Sequence, residues 1–419
     1  MRRSAEDSSS GAPVPAVVVG LDCITGLQTA RILATRGIPV VAVAADGRHF
    51  ACRTRAISRL VVAPTAGAPL LDALDDLARE PLHKQPAVLF PCTDAAVATL
   101  SAGRERLTGR YRLLLPSHEV VERLMDKRAF GEYARAHDLP IPRTISLRSR
   151  EDAEAAASEL TFPVALKPAL KTPRWQQCTP AKAFKAADRD SLLSLYDRCA
   201  PWTDELIAQE WVVGGEDCLY SCNAYFDAQS RPLATFVARK LRQWPVQTGT
   251  SCLGEEVRDD TVLAETLRLF QGAGFHGLAY VEMKRDERTG RYAIIEPNVG
   301  RPTGRSAIAE AGGVDLLLTA YRDAVGLPLP SARVQAYGRA KWIYFRHDAQ
   351  AAAHHWRRGS LSVREYLRSV SGHKVDAVWA LTDPLPFLLD FWRAARKRLP
   401  RASAGPAETP QRAACTRRD

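Results

Sequence analysis

Residues 277–305 read GLAYVEMKRDERTGRYAIIEPNVGRPTGR, two strand-like runs around a short polar turn, and the pairing of these runs decides how the rest of the chain is read. Alternation with period two puts Tyr280, Glu282 and Lys284 on one face of the first run. It puts Tyr292, Ile294, Glu296 and Asn298 on one face of the second. With a turn over 287–291, Glu282 falls opposite Glu296. Directly opposed side chains in an antiparallel pair have Cβ atoms about 5 Å apart, and like charges there destabilise the pair unless something neutralises them. A divalent cation would do that. Glu282, Glu296 and Asn298 together offer two carboxylates and an amide carbonyl, a hard all-oxygen set that suits magnesium bridged to phosphates and does not suit zinc. The plain alternative is an exposed hairpin face whose glutamates have no function.

Upstream, AVVVG (16–20) is a buried-strand run, followed by the turn LDCITG, the helical pattern LQTARILATRG and a second strand, IPVVAVAA. This is a βαβ unit. Gly20 and Gly26 do not fall in the G-x-G-x-x-G order, so they mark a strand-to-helix turn and not a dinucleotide loop. A strand PAVLFPCTD ending at Asp94, a helix over 95–107 and a strand YRLLLPS complete an α/β domain over 14–117, after a disordered leader over 1–13. From His118 the pattern is a helix interrupted near Asp126, with Lys127 starting a second helix that Pro140 and Pro142 end. FPVALKPAL is a buried strand with Lys167 at its rim, and ELIAQEWVVGGEDC is a strand broken at Gly214 and Gly215 before Glu216.

Composition bounds the function class. The 419 residues are 46% hydrophobic and 25% charged, ordinary for a large globular enzyme of several domains. No apolar stretch is long enough to span a bilayer and the polar start lacks a secretory signal, so the expected location is the cytoplasm. Nine cysteines without a Cys-x-x-Cys pair read as reduced core thiols; only Cys218 and Cys222 lie close together. The net charge is +11, and from Arg393 onward eight Arg or Lys face only Glu408 and Asp419, so the tail carries +6 of it. The remainder is mildly basic and has no zinc-finger or basic-aromatic repeat, which excludes a nucleic-acid-binding core.

Taken in order, MDKRAFGEYARAHDLPIPRT (125–144), FPVALKP (162–168), AQEWVVGGED (208–217), VEMK (281–284) and IIEPNVGR (294–301) resemble the ATP-grasp superfamily. The resemblance is closer to its carboxylate-amine ligases of the D-aspartate ligase type and runs from about Val17 to Leu327. It implies a Rossmann-like pre-ATP-grasp domain (14–117), a two-lobed ATP-grasp domain (118–327), a C-terminal extension (328–400) and a disordered basic tail (401–419). It also implies that Lys127 and Lys167 bind the ATP phosphates. Glu210 and the backbone of Trp211 to Val213 would meet adenine, and Glu216 the ribose. Glu282, Glu296 and Asn298 would hold magnesium, as two ions, with manganese able to substitute. The implied reaction activates a carboxylate as an acyl phosphate that an amine displaces, so the partners are a small acid and a small amine, and a homo-oligomer is compatible with it.

Two basic clusters remain to bind the acid: Lys240 with Arg242, and Arg301 with Arg305. Arginine's planar fork matches carboxylate and phosphate, which favours Arg301 and Arg242 with Lys240 beside them. His276 reads as a packed or capping residue. The stretch after Lys167, PALKTPRWQQCTPAKAFK, has no glycine, so Lys171, Lys182 and Lys185 are candidates to cover the phosphates in place of a Gly-rich loop. His354 and His355 read as surface residues. Trp379, Phe387, Leu388, Phe391 and Trp392 precede Arg393, Arg396, Lys397 and Arg398, the composition of a weak anchor to an anionic membrane, weighed against docking of the same aromatics on the core. A phosphotransferase, a ligase acting on a large envelope or polysaccharide acceptor, and a nucleotide-binding module without turnover stay open as alternatives.

Overall fold

A computed structural model describes residues 13–80, 85–169, 172–179, 181, 183–246 and 249–398. The first sheet is wholly parallel. Its strands β1 (Ala16–Val19), β2 (Val40–Ala44), β3 (Arg59–Val62), β4 (Ala87–Pro91) and β5 (Tyr111–Leu113) lie in the order β3-β2-β1-β4-β5. Strands covered on both faces read as unbroken apolar runs, which is why β1 and β2 are legible in the sequence. Gly20 has φ +94°, and a Cβ on Gly26 would lie 2.2 Å from the Gly20 carbonyl oxygen, so both glycines serve the tight turn into the helix Ile24–Thr35. Further on, Asp126 separates the helices His118–Met125 and Lys127–Ala136 and caps the second by accepting from the backbone N–H of Arg128 and Ala129.

A small antiparallel sheet follows, built from β6 (Thr144–Leu147), β7 (Val164–Pro168), β8 (Phe184–Ala186) and β9 (Leu206–Glu210) in the order β6-β9-β7-β8. Its own core of Leu166, Trp175, Leu192 and Ala208 backs it. The large sheet comprises β10 (Leu219–Phe226), β11 (Pro232–Trp244), β12 (Thr250–Glu256), β13 (Gly277–Arg285), β14 (Tyr292–Val299), β15 (Lys341–Ile343) and β16 (Lys374–Asp376), ordered β14-β13-β10-β11-β12-β15-β16. All its pairings are antiparallel except β15 with β16.

The β13–β14 pair is seated on the parallel domain. A Cβ on Gly277 would lie 2.1 Å from the Leu114 carbonyl oxygen, and one on Gly300 would lie 2.3 Å from a Leu115 methyl, so only glycine permits this approach. The C-terminal segment is part of the same body. It contributes β15 and β16 to the large sheet, and Arg31 of the first helix bonds Asp383 (2.9 Å) and the Val378 carbonyl (2.7 Å). The helix Leu385–Arg398 docks through Phe387, Leu389 and the buried Asp390, while Leu388 and Trp392 stay 58% and 54% exposed. Among the described residues no helix is long and apolar enough to cross a membrane. All eight described cysteines are free.

Candidate functional site

A cavity of about 1130 Å³ runs between the small sheet and the large sheet and continues to loops of the parallel domain and the C-terminal segment. Lys167, Gln209, Glu210, Trp211, Lys240, Tyr280, Glu282, Lys284, Glu296, Asn298 and Arg301 all line it. Residues from 167 to 301 therefore meet on one wall or another of a single space.

The hairpin register places Glu282 opposite Glu296 and Tyr280 opposite Asn298. The expected faces are correct for Tyr280, Glu282 and Lys284 but not for the whole second strand. Ile295 is bulged out of the ladder, since Glu282 pairs with Glu296 and Met283 with Ile294. Ile294 is thereby turned into the core with Met283, and Tyr292 packs against that same core, while Glu296 and Asn298 keep the cavity side. Burial, then the charge of Glu282, raises the Glu296 carboxyl above its usual range. Arg305 stands 3.7 Å from Glu282, and the charges of Lys240, Lys167 and Arg301 also act on the pair. Two carboxylates that oppose each other in this way fit a hard divalent cation. The Asn298 amide oxygen accepts from Arg301 Nη2 at 2.6 Å, which leaves one lone pair for a metal.

Lys167 projects from β7, 2.8 Å from Gln209 Oε1. Burial, then the nearby charge of Lys127, pushes its ammonium down to about 8, with Glu296 pulling the other way. Lys127 itself is exposed at its helix start. Glu210 lines the cavity, but its Oε1 accepts from the Thr161 backbone N–H at 2.9 Å, and the Trp211 N–H is donated to the Pro163 carbonyl. The Trp211 ring has the Lys185 ammonium 5.3 Å and the Lys284 ammonium 5.7 Å from its centroid. Two expected nucleotide contacts are not brought to the cavity wall. The Val213 N–H is donated to Asp286 (3.1 Å) and its carbonyl accepts from Glu287, whereas its neighbour Val212 lines the cavity. Glu216 accepts from the Gln243 backbone N–H at 3.0 Å behind that wall, with His355 Nε2 3.8 Å away. Lys171 and Lys182 lie outside the described residues.

The basic clusters divide. Arg301 is held on three sides, by Asp94, by Tyr280 Oη at 2.8 Å and by Asn298, with its charge sustained against burial by Tyr280 and Asp94. Lys240 faces the cavity and bonds Gln243 Oε1 at 3.1 Å; burial lowers its ammonium, partly offset by Glu282. Arg242 does not reach the cavity, contrary to expectation. A bulge pairs Lys240 with Gly254 but Arg242 with Leu253, so residues two apart fall on opposite faces. Arg242 instead grips the fully buried Asp348 at 2.7 and 3.0 Å and bonds Ser369 Oγ at 2.7 Å. Arg305, weighed only as a neighbour of Arg301, takes the cavity place beside Lys240 and bonds Ser221 Oγ. His276 packs against Tyr225, and His354 and His355 are half-buried against Trp244 and near Glu216, not free on the surface. Asp94, Gln209 and Tyr280, which orient Arg301 and Lys167, were assigned no role from the sequence, although Gln209 stands within the stretch 208–217 that carries the resemblance.

No family model matches the chain. The D-aspartate ligase of Enterococcus faecium is 25% identical over 229 residues, 52% of this chain and 54% of that protein. The D-alanine–D-alanine ligase of Ectopseudomonas mendocina is 25% identical over 221 residues, 48% of this chain and 66% of that protein. The aligned part of the chain thus spans between half and two thirds of the length of these curated relatives. Among solved structures, N5-carboxyaminoimidazole synthetase from Staphylococcus aureus superposes with TM-score 0.58 at 15% identity, covering 76% of this chain and 78% of its own. The fold is that of the ATP-grasp superfamily. The L-amino acid ligase of Bacillus licheniformis shares it at TM-score 0.56 and 14% identity over 77% of this chain and 76% of its own. The cavity that holds the acid pair and Lys167 lies between β7–β9 and β13–β14.

Proposed function

We propose that this chain is an ATP-dependent ligase that joins a carboxylic acid to an amine through an acyl phosphate, releasing ADP and phosphate. The observation that carries the reading is the opposed pair Glu282 and Glu296 facing the same cavity as Lys167. The domain division at 117 and 327 is part of the proposal.

The roles follow from what each side chain has left to offer. Lys167, with Lys127 near it, neutralises the triphosphate; a buried ammonium already strained toward neutrality gains most from an anion. Trp211 and the backbone at Val212 border the adenine, with Glu210 shaping the strand end. Glu282, Glu296 and the second lone pair of Asn298 would hold magnesium, which supplies charge neutralisation across the phosphates. The substrate carboxylate is placed by Lys240, Arg305 and Arg301, because these cations line the cavity beside the acid pair while Arg242 is spent on Asp348. Its oxygen attacks the γ-phosphorus and ADP leaves; the amine then attacks the acyl carbon, phosphate leaves, and the amine gives up a proton. Negative charge grows on oxygen in both steps, and fixed cations in a walled cavity stabilise it without reorganisation. No protein nucleophile is needed.

The test is incubation with ATP, magnesium and paired pools of acids and amines, scored by mass spectrometry. Oxygen-18 in the acid should appear in the released phosphate. Label in AMP would replace this mechanism with adenylation, and nucleotide binding without ADP release under every pool would leave a binding module.

A further inference from the structure

The end of the cavity remote from the acid pair is built by residues that the proposed chemistry does not use. Trp342, Tyr344, Arg346 and His347 reach it from the C-terminal segment, as do Asp390, Arg393 and Ala394 from the last helix, and they meet Asp22 and His49 of the parallel domain. Trp342 pairs with Gly254, which pairs with Lys240, so the three stand in one row on the cavity side of the sheet. Four strand spacings separate β13 from β15, so Trp342 lies on the order of 20 Å from Glu282. A group bound there cannot touch the reacting atoms.

What this end lacks is an acceptor. Trp342 is only 2% exposed, yet its indole Nε1–H has no hydrogen-bond partner among the described residues. A buried donor left unpaired is costly, and a ligand oxygen would recover that cost. His347 Nδ1 is also buried without a partner, and Arg393 makes no hydrogen bond or ion pair among the described residues. The acids nearby are already committed. Asp22 Oδ2 accepts from the backbone N–H of Ala45 and Asp46, and Asp390 accepts from Tyr344 and from Arg346 through two nitrogens. Burial, then Arg346, pushes His347 down to about 4, and burial, then Arg393, lowers His49; Arg346 is already paired with Asp390, which leaves Arg393 and Asp22 as the charges at this end without an ion pair among the described residues.

We propose that Trp342 and Arg393, with His347 beside them, form a second subsite that binds an anionic oxygen group, a carboxylate or a phosphate, at the end of a substrate remote from its reacting end. It rests on the reading that this cavity holds the substrates. It adds that one of them is elongated, since its two ends must span from Lys240 to Trp342, and that the C-terminal segment sets its length and charge.

The probe is the Trp342 indole resonance in full-length chain carrying ¹⁵N-tryptophan, identified by its loss in Trp342→Phe. With MgADP present to occupy the phosphate site, glutarate, glycerol phosphate and neutral glutaramide are titrated at constant ionic strength. The Trp342 signal should move with glutarate or with glycerol phosphate and not with glutaramide, and which anion moves it identifies the group. Arg393→Gln, an exposed and fold-neutral change, should weaken that response about ten-fold, as expected for loss of one charge-assisted bond. A response to glutaramide equal to that of the anions, a response unchanged in Arg393→Gln, or no movement with any probe at millimolar concentration overturns the subsite. The readout is binding, so it stands whether or not ADP release is ever observed. Where turnover is obtained, Trp342→Phe should raise KM for the elongated substrate and leave KM for ATP unchanged.

Discussion

Nucleotide affinity should fall as pH rises through 8, and the loss should trace to Lys167. Its ammonium is held at about 8 against an ordinary 10.5, mainly by burial and then by Lys127, so charging it near neutral pH costs about 3 kcal/mol of solvation and repulsion. A bound triphosphate supplies the missing counter-charge and raises the group again. The sign follows: the free protein loses the proton first, so binding takes up protons wherever pH exceeds the free value. At pH 8 half of the free lysines are deprotonated, which gives an uptake of about half a proton per nucleotide. Between pH 7 and 9 the affinity should drop about ten-fold. Calorimetric titration of MgADP in buffers of differing ionisation enthalpy measures uptake and affinity together. Lys167→Met should bind more weakly at pH 7 and lose most of the pH dependence. A flat wild-type profile from pH 7 to 9, or a wild-type slope retained in Lys167→Met, would refute the reasoning.

Three further outcomes follow from the same structure. Glu296→Gln should abolish magnesium-dependent turnover yet leave the metal-free protein as stable as wild type or more so, because it removes one of two opposed carboxylates; thermal denaturation with and without MgADP reads both, and wild-type turnover would sink the metal assignment. Arg242→Met should cost about 3–5 kcal/mol in chemical denaturation because Asp348 is left buried and unpaired, while Arg242→Met with Asp348→Leu recovers most of it; loss of acid binding at unchanged stability would return Arg242 to the substrate. The exposed Leu388 and Trp392 beside Arg393 and Arg396 should give weak, salt-sensitive sedimentation with anionic liposomes, lost on deleting 393–419, whereas no binding at low salt means the helix only walls the cavity.

The sequence was legible where one period ran unbroken. Glu282 and Glu296 could be paired from the turn between them because Tyr280, Glu282 and Lys284 alternate without interruption, and the buried parallel strands announced themselves as apolar runs. It misled where a single residue was inserted into a ladder. The bulge at Ile295 reversed the face expected for Ile294, and the irregularity between Lys240 and Arg242 sent one to the cavity and the other to Asp348. Bulges re-aim side chains beside functional sites, and a period-two reading has no means of registering them. A second kind of loss concerns groups already spent. Val213, Glu210 and Glu216 stand at the spacing the resemblance requires, yet each polar group the resemblance relies on is partly or wholly taken by Asp286, Glu287, Thr161 or Gln243. A motif counts residues, whereas binding depends on donors and acceptors left over. By that measure Trp342, which no motif marks, has more to offer a ligand than Arg242, which its planar fork favoured in the sequence.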